Sequence, residues 1–112
     1  MDGLPIVKRF LDYVDSERNF SAHTVRSYSA DLTQFCQFLA ALETPAADEE
    51  LLSTDNLPAV DELPLDSLAE RLPAVSPTEI RAYLAMMRNS DYSKSTIARK
   101  LATLRSFYKF MV

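Results

Sequence analysis

Six apolar residues, Val25, Tyr28, Leu32, Phe35, Leu39 and Leu42, recur at steps of three, four, three, four and three. That spacing lines them along one side of an α-helix as a seam of the kind that packs helix on helix. The chain contains one glycine, so tight hairpins and phosphate-cradling loops lack their usual residue. Both features point to an all-α fold.

Three more helices are signalled by their starts and stripes. The first runs from Pro5 to about Glu17, with proline at the position where a missing N–H costs nothing. It carries Ile6, Val7, Phe10, Leu11 and Val14 on one band and mixed charges, among them Arg18, on the other. Asn19, Phe20 and Ser21 form a break, and Ser21 caps the seam helix, with Phe20 and Val25 as its staple. Ser76-Pro77-Thr78-Glu79 is a capping box followed by a stripe of Ile80, Tyr83, Leu84 and Met87, ending near Arg88. Asn89, Ser90 and Asp91 separate it from the last helix, which Ser93 caps. That helix buries Ile97, Leu101, Leu104, Tyr108 and Met111. Tyr28, Tyr83 and Tyr108 lie in these stripes and are expected in the core or at its edge.

The 112 residues suit one domain with one core. The net charge of −4 conceals a division. Residues 43–75 hold nine acids against Arg71, whereas the other 79 residues hold eleven bases against seven acids. The acidic stretch includes four prolines, and its leucines follow no sustained period. It reads as an irregular connection between the second and third helices, with one or two helical turns over 66–72. Part of it is expected to be disordered or draped on the body, pointing away from any phosphate-binding surface.

The single cysteine, Cys36, excludes an internal disulfide and a multi-cysteine zinc site; beside Phe35 it reads as a small buried hydrophobe. No stretch resembles a signal peptide or membrane span, so a cytoplasmic protein is expected. His23 has no second histidine or thiol at ligand spacing. No phosphate loop, nucleophile elbow or carboxylate pair is present, so neither a cofactor nor independent catalysis is expected.

Two surfaces are suited to phosphates. The last helix carries Lys94, Arg99, Lys100, Arg105 and Lys109 and no acid. Opposite its apolar stripe lie Ser95, Arg99, Ala102 and Ser106, short enough to let a helix approach a groove. The second helix presents His23, Arg26, Ala30, Thr33 and Gln37 opposite its seam, with Asp31 off to the flank. The competing class is a protein-interaction bundle, which the net negative charge and the leucine-bearing acidic stretch would serve.

Two segments carry a family resemblance. One is Ser21-Ala22-x-Thr24-x-x-x-Tyr28-x-x-Asp31-Leu32-x-x-Phe35-x-x-Phe38-Leu39. The other is Ser93-x-Ser95-Thr96-Ile97-Ala98-Arg99-Lys100-Leu101-Ala102-x-Leu104-Arg105-Ser106-Phe107-Tyr108-x-Phe110. In this order they resemble the N-terminal core-binding domain of the tyrosine recombinase (phage integrase) family, most of all its Xer-type members. The resemblance implies a SAM-like four-helix bundle forming half of a clamp on recombination-site double-stranded DNA. By it, Arg26, Ser27, Lys94, Ser95, Thr96, Arg99 and Lys100 become candidate DNA contacts. Four to six phosphate contacts would give a salt slope of about −4 to −5.

The resemblance also implies a first helix that meets a neighbouring recombinase protomer. It implies, too, a following catalytic domain that supplies the arginines, histidines and tyrosine nucleophile. The 112 residues are therefore expected to be one domain of a longer enzyme, unable to exchange strands alone. The connection over 43–75 departs from the family by being longer and more acidic.

Overall fold

A computed structural model describes residues 3–17, 20–43 and 52–112. Arg18, Asn19 and residues 44–51 of the acidic connection, including Asp48, Glu49 and Glu50, lie outside the described residues. The helices are α1 (Pro5–Ser16), α2 (Ala22–Leu42), α3 (Leu65–Arg71), α4 (Pro77–Asn89) and α5 (Lys94–Met111). No strand occurs among the described residues. Four of these are the expected long helices, so the bundle is all-α as the stripes required, with the short α3 added inside the connection.

The capping chemistry acts as expected. Ser21 Oγ accepts from Thr24 N at 3.1 Å, and Ser93 Oγ from Thr96 N at 3.2 Å. At the start of α4, Ser76 Oγ accepts from Glu79 N at 3.3 Å while Glu79 Oε1 accepts from Ser76 N at 3.1 Å. The end of α4 is equally well closed. Tyr92 N donates to Met87 O and Asp91 N to Arg88 O, the paired bonds of a Schellman turn. The residue usually glycine in that turn is Asp91, at φ 59°.

α2 is the axis of the core. Phe10 of α1 stacks on Tyr28 at 5.9 Å and meets Phe107 and Phe110 of α5 at 5.3 and 5.5 Å. Further along α2, Phe35 and Phe38 pack on Tyr83 of α4 at 5.0 and 5.2 Å. Tyr83 is fully buried, and its hydroxyl donates to Gln34 Oε1 at 3.1 Å. Burial raises the Tyr83 phenol well above its ordinary value and keeps it neutral. Cys36 is buried in the same layer, where desolvation pushes its thiol up to about 12.

The described part of the acidic connection is ordered on the body. Short 3₁₀ turns at Thr54–Asn56, Val60–Glu62 and Leu72–Ala74 flank α3. Leu52, Leu63, Leu68 and Leu72 enter the core, each at most 8% exposed. Their aperiodic spacing follows from this, because turns rather than one helix deliver them. Tyr108 Oη donates to Leu72 O at 2.7 Å and pins the segment to α5.

The expectation that the segment points away needs correcting. Asn89 Nδ2 donates to Leu52 O and Ser90 Oγ accepts from Thr54 N, so the segment passes the turn leading into α5. Gln37 Nε2 donates to Pro58 O at 2.9 Å, at the far end of the polar side of α2. The buried leucines hold it there. It borders one end of the basic surface and leaves Arg26 exposed, about 16 Å of helix rise from Gln37.

Candidate nucleic-acid interface

α2 and α5 run antiparallel. Gln34 Nε2 donates to the Tyr92 hydroxyl at 2.8 Å, Asp31 meets Arg99, Lys100 and Thr103, and Tyr28 shares Phe10 with Phe107. Descending numbers on α2 thus meet ascending numbers on α5. The N-terminus of α5, with Lys94 and Ser95, lies beside the C-terminal half of α2. Arg26 lies toward the other end.

Asp31 dominates the seam between these helices. It is 2% exposed and accepts three bonds from α5. Lys100 Nζ donates to Oδ1 at 3.0 Å, while Arg99 Nη1 and Thr103 Oγ1 donate to Oδ2 at 2.6 and 2.7 Å. The same Lys100 ammonium lies 5.6 Å from the Tyr92 ring centre. A buried carboxylate needs this many partners, because an isolated one would lose its hydration without replacement.

The candidate contacts divide by exposure. Arg26 is exposed and makes no ion pair among the described residues; Ser27 is partly covered. Lys94 and Ser95 are exposed at the start of α5. Ser95 Oγ lies 3.2 Å from the capping Ser93 Oγ, and the Thr96 hydroxyl accepts from Ser93 Oγ at 3.0 Å. Arg99 keeps 48% of its side chain open despite its bond to Asp31. Lys100 differs from expectation. Its side chain is 9% exposed and its ammonium is spent on Asp31, so it does not stand on the open face.

Five cations on one helix are therefore not five free charges, since two are held by an acid from the neighbouring helix. Asp31 sits three residues after Tyr28 and four before Phe35. That position on the rim of the apolar seam was the sequence signal for its burial. Thr103 and Gln34 carried no such signal, because a polar residue beside a stripe is ordinary. His23 is exposed on α2. No cluster of three metal-ligating side chains exists among the described residues, and no described helix is long and apolar enough to cross a membrane.

The family model for the phage integrase N-terminal SAM-like domain matches residues 7–56 and 64–112. The chain belongs to that family. The two matched blocks place the SAM-like bundle over nearly all of the sequence and leave out 57–63, within the acidic connection. Among curated proteins, this SAM-like domain is 35% identical to the tyrosine recombinase XerC of Listeria innocua over 94% of its own length. It is 33% identical to XerC of Halalkalibacterium halodurans over 95%, and 33% identical to XerC of Staphylococcus haemolyticus over 90%. It spans 27%, 27% and 25% of those recombinases, respectively. No solved structure gives a significant match.

Proposed function

We propose that this SAM-like domain binds double-stranded DNA as the non-catalytic part of a site-specific tyrosine recombinase. The surface is the outer side of the antiparallel pair α2 and α5. Arg26, Lys94 and Arg99 supply charge, while Ser27, Ser95 and Thr96 let the helix backbones approach. Lys100 supports that surface from below and is not among the groups reaching the duplex. One observation carries the reading: the acid between the two helices, Asp31, is buried and compensated, while Arg26, Lys94 and Arg99 stay exposed.

Three exposed cations on phosphates correspond to a salt slope of about −3, shallower than the unpaired count implied. Strand cleavage and rejoining belong to a catalytic domain of the recombinase. α1 is the surface offered to a neighbouring protomer.

The interaction-module reading loses its main support. Four leucines of the acidic segment that would have docked a partner, Leu52, Leu63, Leu68 and Leu72, are consumed by this domain's own core, and among its described leucines only Leu65 is exposed. An NMR titration with duplex DNA at low and high salt tests the choice. Shifts should cluster at Arg26 and at Lys94 to Arg99 and vanish at high salt. Shifts confined to α1 or the acidic segment would reject DNA binding in favour of a protein partner. Arg26→Glu, at an exposed side chain with no ion pair among the described residues, should weaken binding strongly with the fold intact.

A further inference from the structure

We propose that Asp31 is a positioning residue that aims the Arg99 guanidinium at a DNA phosphate, and that Lys100 is the internal counterion that leaves Arg99's charge available. This rests on the DNA-binding reading above. A carboxylate paired only with Arg99 would fix that side chain but cancel its charge. Here the carboxylate has two oxygens and two cations. Lys100 holds Oδ1 from a nearly closed position, and Arg99 and Thr103 share Oδ2. The three charged groups sum to one positive charge, and the cation with open surface is Arg99.

Arg99 reaches the carboxylate through Nη1 alone. Its guanidinium has five N–H donors in a rigid plane, so the remaining edge is oriented but unspent. Thr103 completes the device. Its hydroxyl lies 2.7 Å from Asp31 Oδ2 and 3.3 Å from Arg99 O, one turn back on the same helix. A long arginine side chain otherwise loses much rotamer freedom on meeting a phosphate. Fixing it beforehand moves that loss into folding.

The test turns on sign. Asp31→Asn removes an acid beside a basic surface, so simple charge counting predicts tighter DNA binding. Positioning predicts weaker binding. Affinity for a duplex of about 20 base pairs, followed by fluorescence anisotropy across a salt series, should fall about three- to tenfold, with the salt slope shallower by about one. Arg99→Gln should weaken binding similarly, and adding Asp31→Asn to it should cost little more. In the DNA-free protein, the Arg99 Nε–H resonance should move toward its random-coil position when Asp31 is replaced.

If Asp31→Asn does not fold, Thr103→Val keeps every charge and removes one bond to Oδ2; it should weaken binding in the same direction by a smaller factor. Equal or tighter binding by a folded Asp31→Asn variant, or unchanged binding by Thr103→Val where that variant decides, overturns the proposal while Arg99→Gln still upholds DNA contact. Absence of duplex binding by the unaltered protein overturns the underlying reading instead, and the positioning role with it.

Discussion

Arg71 Nη2 lies 2.6 Å from one Glu79 oxygen, Oε2, while the other, Oε1, closes the capping box of α4. The same guanidinium lies 3.3 Å from Glu43 Oε1 and donates to Leu39 O at the end of α2. One arginine from the acidic connection thus joins the end of one helix to the start of another. Ser67 Oγ, donating to Glu43, adds a second tie from α3. The connection is held by charge as well as by its buried leucines.

That relationship makes stability depend on acid. Burial acts to raise the Glu79 carboxyl, but hydrogen bonds from Arg71 and Ser76 outweigh it and hold it below its ordinary value of 4.5. The unfolded chain therefore binds the Glu79 proton more readily than the folded one. The stabilisation is complete above about pH 4.5 and is lost as pH falls through the lower folded value. Urea midpoints measured from about pH 7 down to about pH 3 should show this decline. Glu79→Gln should lower stability at neutral pH by about 1–3 kcal/mol and flatten the decline.

Phe10 is where α1, α2 and α5 meet, and it is 1% exposed. Phe10→Ala should cost about 3–5 kcal/mol, a large share of what a domain of this size possesses. Chemical denaturation measures it. A loss under about 1 kcal/mol would mean that the aromatic cluster collapses around the gap.

Asp91 occupies a backbone conformation that suits glycine. Asp91→Gly should stabilise the domain by about 0.5–1 kcal/mol, because the left-handed strain at this closing turn outweighs the extra freedom of the unfolded chain. The change should appear as a higher melting temperature with an unaltered amide spectrum away from the turn.

Cys36 is sealed between α2 and its neighbours. With the thiol pushed up to about 12 and no path for reagent, it should react with a disulfide probe only when the domain opens. Labelling rates across a urea series should extrapolate to the global unfolding free energy. Fast labelling of the native protein would reveal local opening of α2.

Arg26→Ala should weaken duplex binding by about three- to tenfold, nearly independent of base sequence, and make the salt slope shallower by about one. Arg26 is exposed and unpaired among the described residues, so little stability should change with it. A loss restricted to one base sequence would assign it to base reading.

Periodicity and capping by themselves determined the four long helices, their starts and the sides that α1, α2 and α4 bury. On α5 the buried side is Lys100, Thr103, Leu104 and Phe107; of the expected stripe only Leu104 is fully covered, while Ile97, Leu101, Tyr108 and Met111 are half-buried. These are local matters: Ser76 and Glu79 are three residues apart, and Leu32 and Phe35 share a face whatever surrounds them. The family resemblance was also legible, because its residues lie within the two helices that carry the seam and the basic stripe. The effective charge of α5 was not. Asp31 and Lys100 are 69 residues apart, and only packing α5 against α2 turns a flanking acid and a surface lysine into a buried pair. The course of the acidic connection was decided in the same way, since leucines without a period can be placed only by the core that receives them.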